Sequence, residues 1–431
     1  MRVGVLIFGS RGDLQPFVAL TDRLTAEGHE VVVGANADAA ALIGAAGVKF
    51  VPVDLDTRQF LSSPAGQHAL MDGSAPALLD SGNAWFAESL PSITEAAAAV
   101  ADGADVVISG FPMDDYAAAV CAARGIPLML AAVHPWEPTS QFPHPLMHPD
   151  WLGAEQFSAE DALRTHRELE QIHWRGKHAA VNRLRESLGL PPADHPVFRA
   201  GPEAGMPVLN MYSPTVVPRP ADWGRNSVVT GYWQLSAQAR ERLGESAPPQ
   251  RLVDWLEAGP APIFLGFGSM PILDPAPVVE MAVTAAKKTG TRILIGAGWT
   301  QMAGFADSLP DYAEVIDSVD HDWLFPRCQG VVQHGGSGTT GTALAAGCPT
   351  FVFSMFLDQP FWGSRVTELG VGGHRRFPEL GLDALTEAMA LLSREDVHEK
   401  AAAIGRQIRQ EDGVETAMRV ITDPQCAVVP R

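Results

Sequence analysis

The 431-residue sequence is short of cysteine, of basic residues and of long apolar runs. Its four cysteines, Cys121, Cys328, Cys348 and Cys426, are scattered. They lack disulfide-framework or metal-site spacing and suit small buried residues in a reducing, cytoplasmic setting. Lys and Arg number 31 against 50 Asp and Glu, a formal charge of −19. With no basic stripe to follow a phosphate backbone, nucleic-acid and anionic-membrane partners are set aside. There is no stretch of about 18 uninterrupted apolar residues, so no membrane span is expected. The apolar run at 3–8 is too short for a signal-peptide core and enters a turn directly, so it reads as a first strand.

What is present points to two packed interiors. Hydrophobic residues make up 46% of the chain, and its length favours two domains of about 200 residues each. Short Val/Ile/Leu runs at 3–8, 29–34, 48–53, 106–109 and 128–132 alternate with helical segments at 15–27, 37–46 and 114–123. That alternation indicates a parallel sheet covered on both faces. Residues 134–175 break the rhythm with Pro135, Pro138, Pro143, Pro145 and Pro149 among Trp136, Trp151 and Trp174, reading as a long loop and helix over one end of the domain. A late strand is expected at 208–212, and a polar stretch ending at Pro248-Pro249 serves as linker. Strands at 262–267, 292–295, 314–316, 330–332 and 351–353, with a helix at 275–289, then build a second α/β domain. The expected division is 1–235, a linker at 236–250, 251–405, and a C-terminal helix or tail at 406–431 that is a candidate to cross back to the first domain. The fold class is α/β: two facing Rossmann-like, doubly wound parallel-sheet domains with an interdomain cleft, where ligands bind at the carboxyl ends of such strands.

The strongest local signal is Gln333-His334-Gly335-Gly336-Ser337-Gly338-Thr339-Thr340. A strand ends at His334, glycines permit a tight turn, and a helix starts near Thr339 before Gly347 and Pro349 stop it. Free N–H groups and the dipole at such a helix start suit an anionic diphosphate, and His334 can donate to a phosphate oxygen. A plain glycine turn would look the same locally. Other motifs stand with it: Gly9-Ser10-Arg11-Gly12-Asp13-Leu14-Gln15-Pro16; Phe267-Gly268-Ser269-Met270; Asp320-His321-Asp322-Trp323-Leu324-Phe325-Pro326-Arg327-Cys328; and Phe356-Leu357-Asp358-Gln359-Pro360-Phe361-Trp362-Gly363.

In their content and order these motifs resemble the GT-B glycosyltransferases of glycosyltransferase family one, the UDP-glycosyltransferase superfamily. The bacterial antibiotic and sterol-type branch is the most similar, and the resemblance is weakest through residues 57–230. It implies that His334, Gly336, Ser337, Gly338 and Thr339 hold the diphosphate, with Ser269 reaching it from the neighbouring turn. Asp358 and Gln359 would bind sugar hydroxyls, and Ser318, Val319 and Trp299 would lie at the base. Trp299 would equally suit packing, and Asp358 and Gln359 would equally suit a helix cap. Many members carry a histidine in the first turn. Here none lies between Gly9 and Pro16, and Asp13 is the implied general base, with Ser10 adding a hydrogen bond. Asp13 would also serve as an N-cap for a helix beginning near Leu14.

The implied reaction is metal-independent transfer, with inversion, of a hexose from a nucleotide diphosphate sugar to a hydroxyl of an apolar small molecule, lipid or sterol. UDP-glucose is favoured over a dTDP-sugar as co-substrate, and no cofactor is tightly bound. Trp85, Trp136 and Trp151 are acceptor-binding candidates, although the same residues would pack the long loop. The Asp54-Leu55-Asp56 and Asp320-His321-Asp322 strings invite a metal, but such pairs arise by chance. The histidines at 134, 144, 148, 166, 173 and 178 show no ligand spacing. Gly9–Gly12 does not complete a dinucleotide fingerprint, and the second strand ends in Gly34-Ala35-Asn36 without a ribose-binding acid. A sugar-nucleotide epimerase on the same fold, or a non-catalytic auxiliary protein, remains as an alternative. Oligomeric state is not read from the sequence.

Overall fold

The structure, a computed structural model, describes residues 1–63, 75–147, 157–244, 248–268, 275–298, 309–317, 319–423, 425, 428 and 430. The chain divides into two compact units. The first comprises Met1–His148, Glu155–Leu243 and Asp412–Arg431, and the second Gly244–Glu411.

The first unit is built on a seven-stranded sheet: β1 (Arg2–Leu6), β2 (Glu30–Asn36), β3 (Lys49–Val53), β4 (Val106–Gly110), β5 (Leu128–Ala132), β6 (Val208–Asn210) and β7 (Ser227–Val229). Their order is β3-β2-β1-β4-β5-β6-β7, and every pairing is parallel. Continuous apolar runs suit strands covered on both faces: Val3, Val5 and Leu6 are buried, as are Ile108, Leu128 and Leu130. The second unit holds β8 (Ile263–Gly266), β9 (Ile293–Gly296), β10 (Ala313–Ile316), β11 (Gly330–Gln333), β12 (Thr350–Ser354) and β13 (Gly372–Arg376). Its order is β10-β9-β8-β11-β12-β13, again all parallel. Both orders reverse direction once, between β1 and β4 and between β8 and β11. Ligands in such sheets bind outside the carboxyl ends of strands at that reversal.

Local starts and stops differ from the sequence expectation. The first helix runs Arg11–Ala26 rather than from 15, with Ser10 as its N-cap. Asp13 therefore lies in the first helical turn and not in a loop. Within 236–250, Ser236 Oγ accepts from Ala239 N–H (3.0 Å) and opens a helix, Ala237–Arg242, whose last residue pairs with Asp22. The aromatic, proline-rich region leads into a long helix, Ala159–Ser187. Near the C-terminus a helix at Gly413–Ile421 places Ala417, Met418 and Ile421 in the same apolar cluster as Leu20 and Leu24. Leu128 N–H also donates to Val428 O at 2.9 Å. No helix among the described residues is long and apolar enough to cross a membrane.

Candidate active site

In the first unit, the turn after β1 is held from several sides. Asn36, 1% exposed at the end of β2, accepts from Gly9 N–H (3.1 Å) and donates to Gly9 O (3.2 Å). Thr57 Oγ1 donates to the same carbonyl at 3.2 Å. Gly9 has φ +149°, and a Cβ there would lie 2.5 Å from the Asp13 side chain, so only glycine lets the carboxylate fold back over the turn. Asp13 Oδ2 accepts from Ser10 N–H (2.9 Å) and Ser10 Oγ (3.1 Å). The expected pair, Ser10 and Asp13, thus meets at the reversal edge of the sheet. The clasp residues Asn36 and Thr57 were not singled out in the sequence; a buried amide ending an apolar strand was the available signal.

Aromatic side chains cluster at this turn and, separately, at the turns after β4 and β5. Trp85 stacks on Phe60 (4.7 Å between centroids) and meets Phe8 edge-on at 5.5 Å, one residue before Gly9. Trp136, beyond β5, stacks on Phe111, which follows β4 (4.6 Å), and faces His144 and Phe198. All belong to or pack on one apolar cluster of the first unit, apart from Phe60 and His144. Trp151 lies outside the described residues.

The loop after β5 is fixed by polar contacts to distant segments. Thr139 Oγ1 donates to Asp222 (2.8 Å), as do the N–H and Oγ of Ser140, and Ser227 Oγ donates to Glu137. Burial pushes the Glu137 carboxyl up from 4.5 to about 7, only partly offset by the Ser227 hydroxyl, the nearby Asn210 side chain and Arg219. Because the folded pKa is raised, its contribution is fully present below 4.5 and is lost as pH rises through 7. Relative to wild type, Glu137→Gln therefore gains about 1–3 kcal/mol in unfolding free energy between pH 5 and pH 8. Denaturant titrations of both proteins at the two pH values check this, since other titrating groups cancel in the difference. An unchanged difference contradicts a carboxyl raised into this range.

A buried ionic knot ties the long helix to the start of the helix Asp114–Arg124, which follows β4. Lys177 Nζ, on a side chain 1% exposed, donates to Pro112 O (2.6 Å) and Asp114 Oδ1 (3.1 Å) and forms an ion pair with Asp115 Oδ2 (2.9 Å). Asp115 Oδ1 also accepts from Val197 N–H at 2.7 Å. Burial opposes ionisation of Asp115, but Lys177, His173 and the Val197 amide together hold its pKa below the usual carboxylate range. Burial raises that of Asp114.

In the second unit, His334 follows β11 and Gly268 follows β8, at the sheet reversal. The imidazole sits between two glycines: a Cβ on Gly268 would come within 3.0 Å of His334 Cε1, and one on Gly336 within 2.6 Å of Nε2. Burial, aided by His321, lowers the His334 pKa to about 4, so the ring is neutral near pH 7, and Nδ1 has no partner in the protein. The helix begins at Ser337 and runs to Ala345, two residues earlier than expected, with Gly336 as N-cap. Thr340 N–H makes the bond to Gly336 O (2.9 Å), which leaves the amides of Gly338 and Thr339 outside the helical ladder. Gly338 is exposed and Thr339 half-buried.

Gln333, fully buried and given no role of its own in the sequence motif, braces this mouth. Its Oε1 accepts from Gly335 N–H (2.9 Å) and its Nε2 donates to Thr340 Oγ1 (2.8 Å). Gly335 packs against Gln359, so the Asp358-Gln359 turn adjoins the His334 loop. Gln359 Oε1 accepts from Met355 N–H (2.8 Å), while Asp358 Oδ2 accepts from Trp362 Nε1 (2.7 Å). Each thus helps shape its own turn. Val319 is half-buried against the apolar cluster of Leu324 and Phe325. Ser269, Trp299 and Ser318 lie outside the described residues.

Among the described residues no group of three or more His, Cys, Asp or Glu is arranged to hold a metal ion. The acidic strings are used locally. Asp56 caps a helix by accepting from Gln59 N–H (2.8 Å), and Asp320 accepts from Asp322 N–H (3.1 Å). Cys121, Cys328 and Cys348 are free thiols.

Two parallel-sheet units with these turns at their reversals define the GT-B architecture of glycosyltransferases. A solved glycotransferase of kitacinnamycin shares the fold over 97% of this chain and 98% of its own, with a TM-score of 0.71 and 21% identity. The glycosyltransferase VinC, solved in complex with DTDP, does so at TM-score 0.65 and 18% identity, over 98% of both chains. Residues 3–79 match the glycosyltransferase family 28 N-terminal domain, and 291–417 the erythromycin biosynthesis protein CIII-like C-terminal domain.

The sterol 3-beta-glucosyltransferases UGT80A2 and UGT80B1 of Arabidopsis thaliana are 33% and 30% identical over 97% of this chain. The chain belongs to their glycosyltransferase family. It spans 65% and 67% of the length of those two relatives.

Proposed function

We propose that this chain is an inverting hexosyltransferase that moves a sugar from a nucleotide diphosphate donor to a hydroxyl of a sterol or similar apolar small molecule. The observation carrying the proposal is the mouth of the helix at Ser337. The unladdered amides of Gly338 and Thr339 and a neutral imidazole edged by glycines lie there at the sheet reversal, where a diphosphate gains hydrogen bonds and the helix dipole. His334, Gly336, Ser337, Gly338 and Thr339 hold the diphosphate, joined by Ser269. Asp358 and Gln359 meet sugar hydroxyls, and Trp299, Ser318 and Val319 serve the base.

In the first unit Asp13 takes the proton of the acceptor hydroxyl, with Ser10 orienting it. The acceptor oxygen bonds to the anomeric carbon as the bond to the leaving phosphate oxygen breaks. The nucleoside diphosphate departs with that electron pair, stabilised at the helix mouth, and no metal is needed. Trp85, Trp136 and Trp151 contact the apolar acceptor. Free thiols suit a reducing cytoplasm.

The test is a donor panel (UDP- and dTDP-hexoses) crossed with sterols and aromatic aglycones, read by mass spectrometry. A mass gain of one hexose with inverted configuration is expected, UDP-glucose being the better donor. Donor binding without transfer to any acceptor and without donor hydrolysis overturns the assignment in favour of an auxiliary protein. Because His334 supplies a hydrogen bond to a charged group, His334→Ala weakens donor affinity about 10- to 100-fold by calorimetry. Unchanged affinity removes His334 from the phosphate site.

A further inference from the structure

A small pocket with a cavity volume of about 20 Å³, room for a hydroxyl group, opens to the surface in the first unit. Its wall includes Trp136, His144, His166, Leu169, His173 and Phe198. The imidazoles of His144 and His166 lie 4.9 Å apart, edge to face, and are 2% and 3% exposed. Their neighbours settle which nitrogens carry hydrogen. Leu146 N–H donates to His144 Nδ1 (3.1 Å), so in the neutral ring Nε2 bears the proton. His166 Nε2 meets Phe142 O at 3.2 Å; a carbonyl only accepts, so Nε2 bears the proton and Nδ1 is a bare acceptor. Burial, with the neighbouring imidazoles, lowers the His144 pKa well below 6.5, and burial lowers that of His166 to about 4. Both rings are neutral near pH 7.

The two remaining nitrogens, His144 Nε2 and His166 Nδ1, have no partner in the protein. A buried donor and a buried acceptor left unmade are costly, and on two neighbouring rings that both line one pocket they match a hydroxyl, which accepts and donates at once. A carboxylate, which only accepts, and an ammonium, which only donates, would each leave one nitrogen unmet. Trp136 and Phe198 supply apolar surface for the body that carries the hydroxyl. The position separates this group from the reacting one. Asp13 follows β1 while Trp136 follows β5, with β4 between, a span of roughly 10 Å at ordinary strand spacing.

We propose that this pocket is an acceptor subsite that receives a second, neutral hydroxyl on the acceptor, His144 donating to its oxygen and His166 accepting its hydrogen. The preferred acceptor is then an apolar molecule oxygenated at both ends rather than one with a wholly hydrocarbon tail. The inference rests on the glycosyltransfer reading for the word acceptor, but the subsite is tested by binding alone.

Equilibrium dialysis of the full chain against tritiated androstanediol, a steroid with hydroxyls at both ends, and against the mono-ol lacking the ring-D hydroxyl gives the two affinities. Wild type is expected to hold the diol about 10-fold more tightly. His144→Phe and His166→Leu should bring that ratio close to one. His144→Gln, which keeps an N–H donor, should retain most of it, which separates a lost hydrogen bond from a misfolded pocket. Equal affinities in wild type, or a ratio unmoved by His144→Phe and His166→Leu, overturn the subsite. A retained diol preference without hexose transfer to either steroid leaves the subsite standing and removes the transferase reading instead.

Discussion

Asp13→Asn is expected to cut sugar transfer about 10²- to 10⁴-fold, the range for loss of a positioned general base, while leaving donor affinity within about 2-fold of wild type. The substitution isolates the proton-transfer role because the asparagine oxygen can still accept from Ser10 N–H, where Asp13 Oδ2 now sits at 2.9 Å. What is lost is the negative charge at the helix start, about 0.3–1 kcal/mol of stability, and the capacity to take a proton. Steady-state kcat/KM, donor calorimetry and a melting curve for the same preparation distinguish the roles. A capping residue alone gives a lower melting temperature and near-normal turnover. A base gives lost turnover beyond what that small stability loss explains. Full activity in Asp13→Asn withdraws the assignment.

Lys177→Met is expected to destabilise the first unit by about 3–5 kcal/mol, the cost of leaving buried charge unpaired. Lys177 is the cation against which Asp114 and Asp115, 1% and 3% exposed, are packed. Its loss strands Asp115, whose ionised form the site favours. Most of the stability of an ordinary domain, about 5–15 kcal/mol, would remain only in the better cases, so low yield is part of the expected result. Adding Asp115→Asn to Lys177→Met should recover part of the loss, because the orphaned charge goes with its partner. Denaturant unfolding of the three proteins measures it. A loss under about 1 kcal/mol for the single variant would show the knot to be energetically neutral.

The contrast between these residues shows what was legible in the sequence. Asp13 stood out because Gly9-Ser10-Arg11-Gly12-Asp13 follows the first apolar run, although its place was read as loop. Ser10 and Asp13 form reciprocal contacts that start the helix four residues sooner than expected. The apolar periodicity near Leu14 was the weaker guide to the boundary, since a cap acts before the apolar stripe begins. The Ser337 helix start shifted for the same reason, with Gly336 as its cap. Trp136 was noticed as an aromatic among prolines, but its neighbours His144, His166 and His173 were read only for metal spacing and set aside. The significance of His144 and His166 lies in which ring nitrogen each backbone neighbour occupies, and that is not a spacing.

The sequence by itself determined two parallel α/β units, the glycine turns after β1 and β11, and the family to which such turns belong. Strand and helix periods and glycine's backbone freedom are local properties, written in neighbouring residues. Tertiary structure alone decided that Asn36 and Thr57 clasp Gly9, that Gln333 braces the helix mouth, and that Lys177 meets Asp114 and Asp115 some sixty residues away. Buried polar groups must find partners wherever folding brings them, and the chain carries no periodic mark of where that will be.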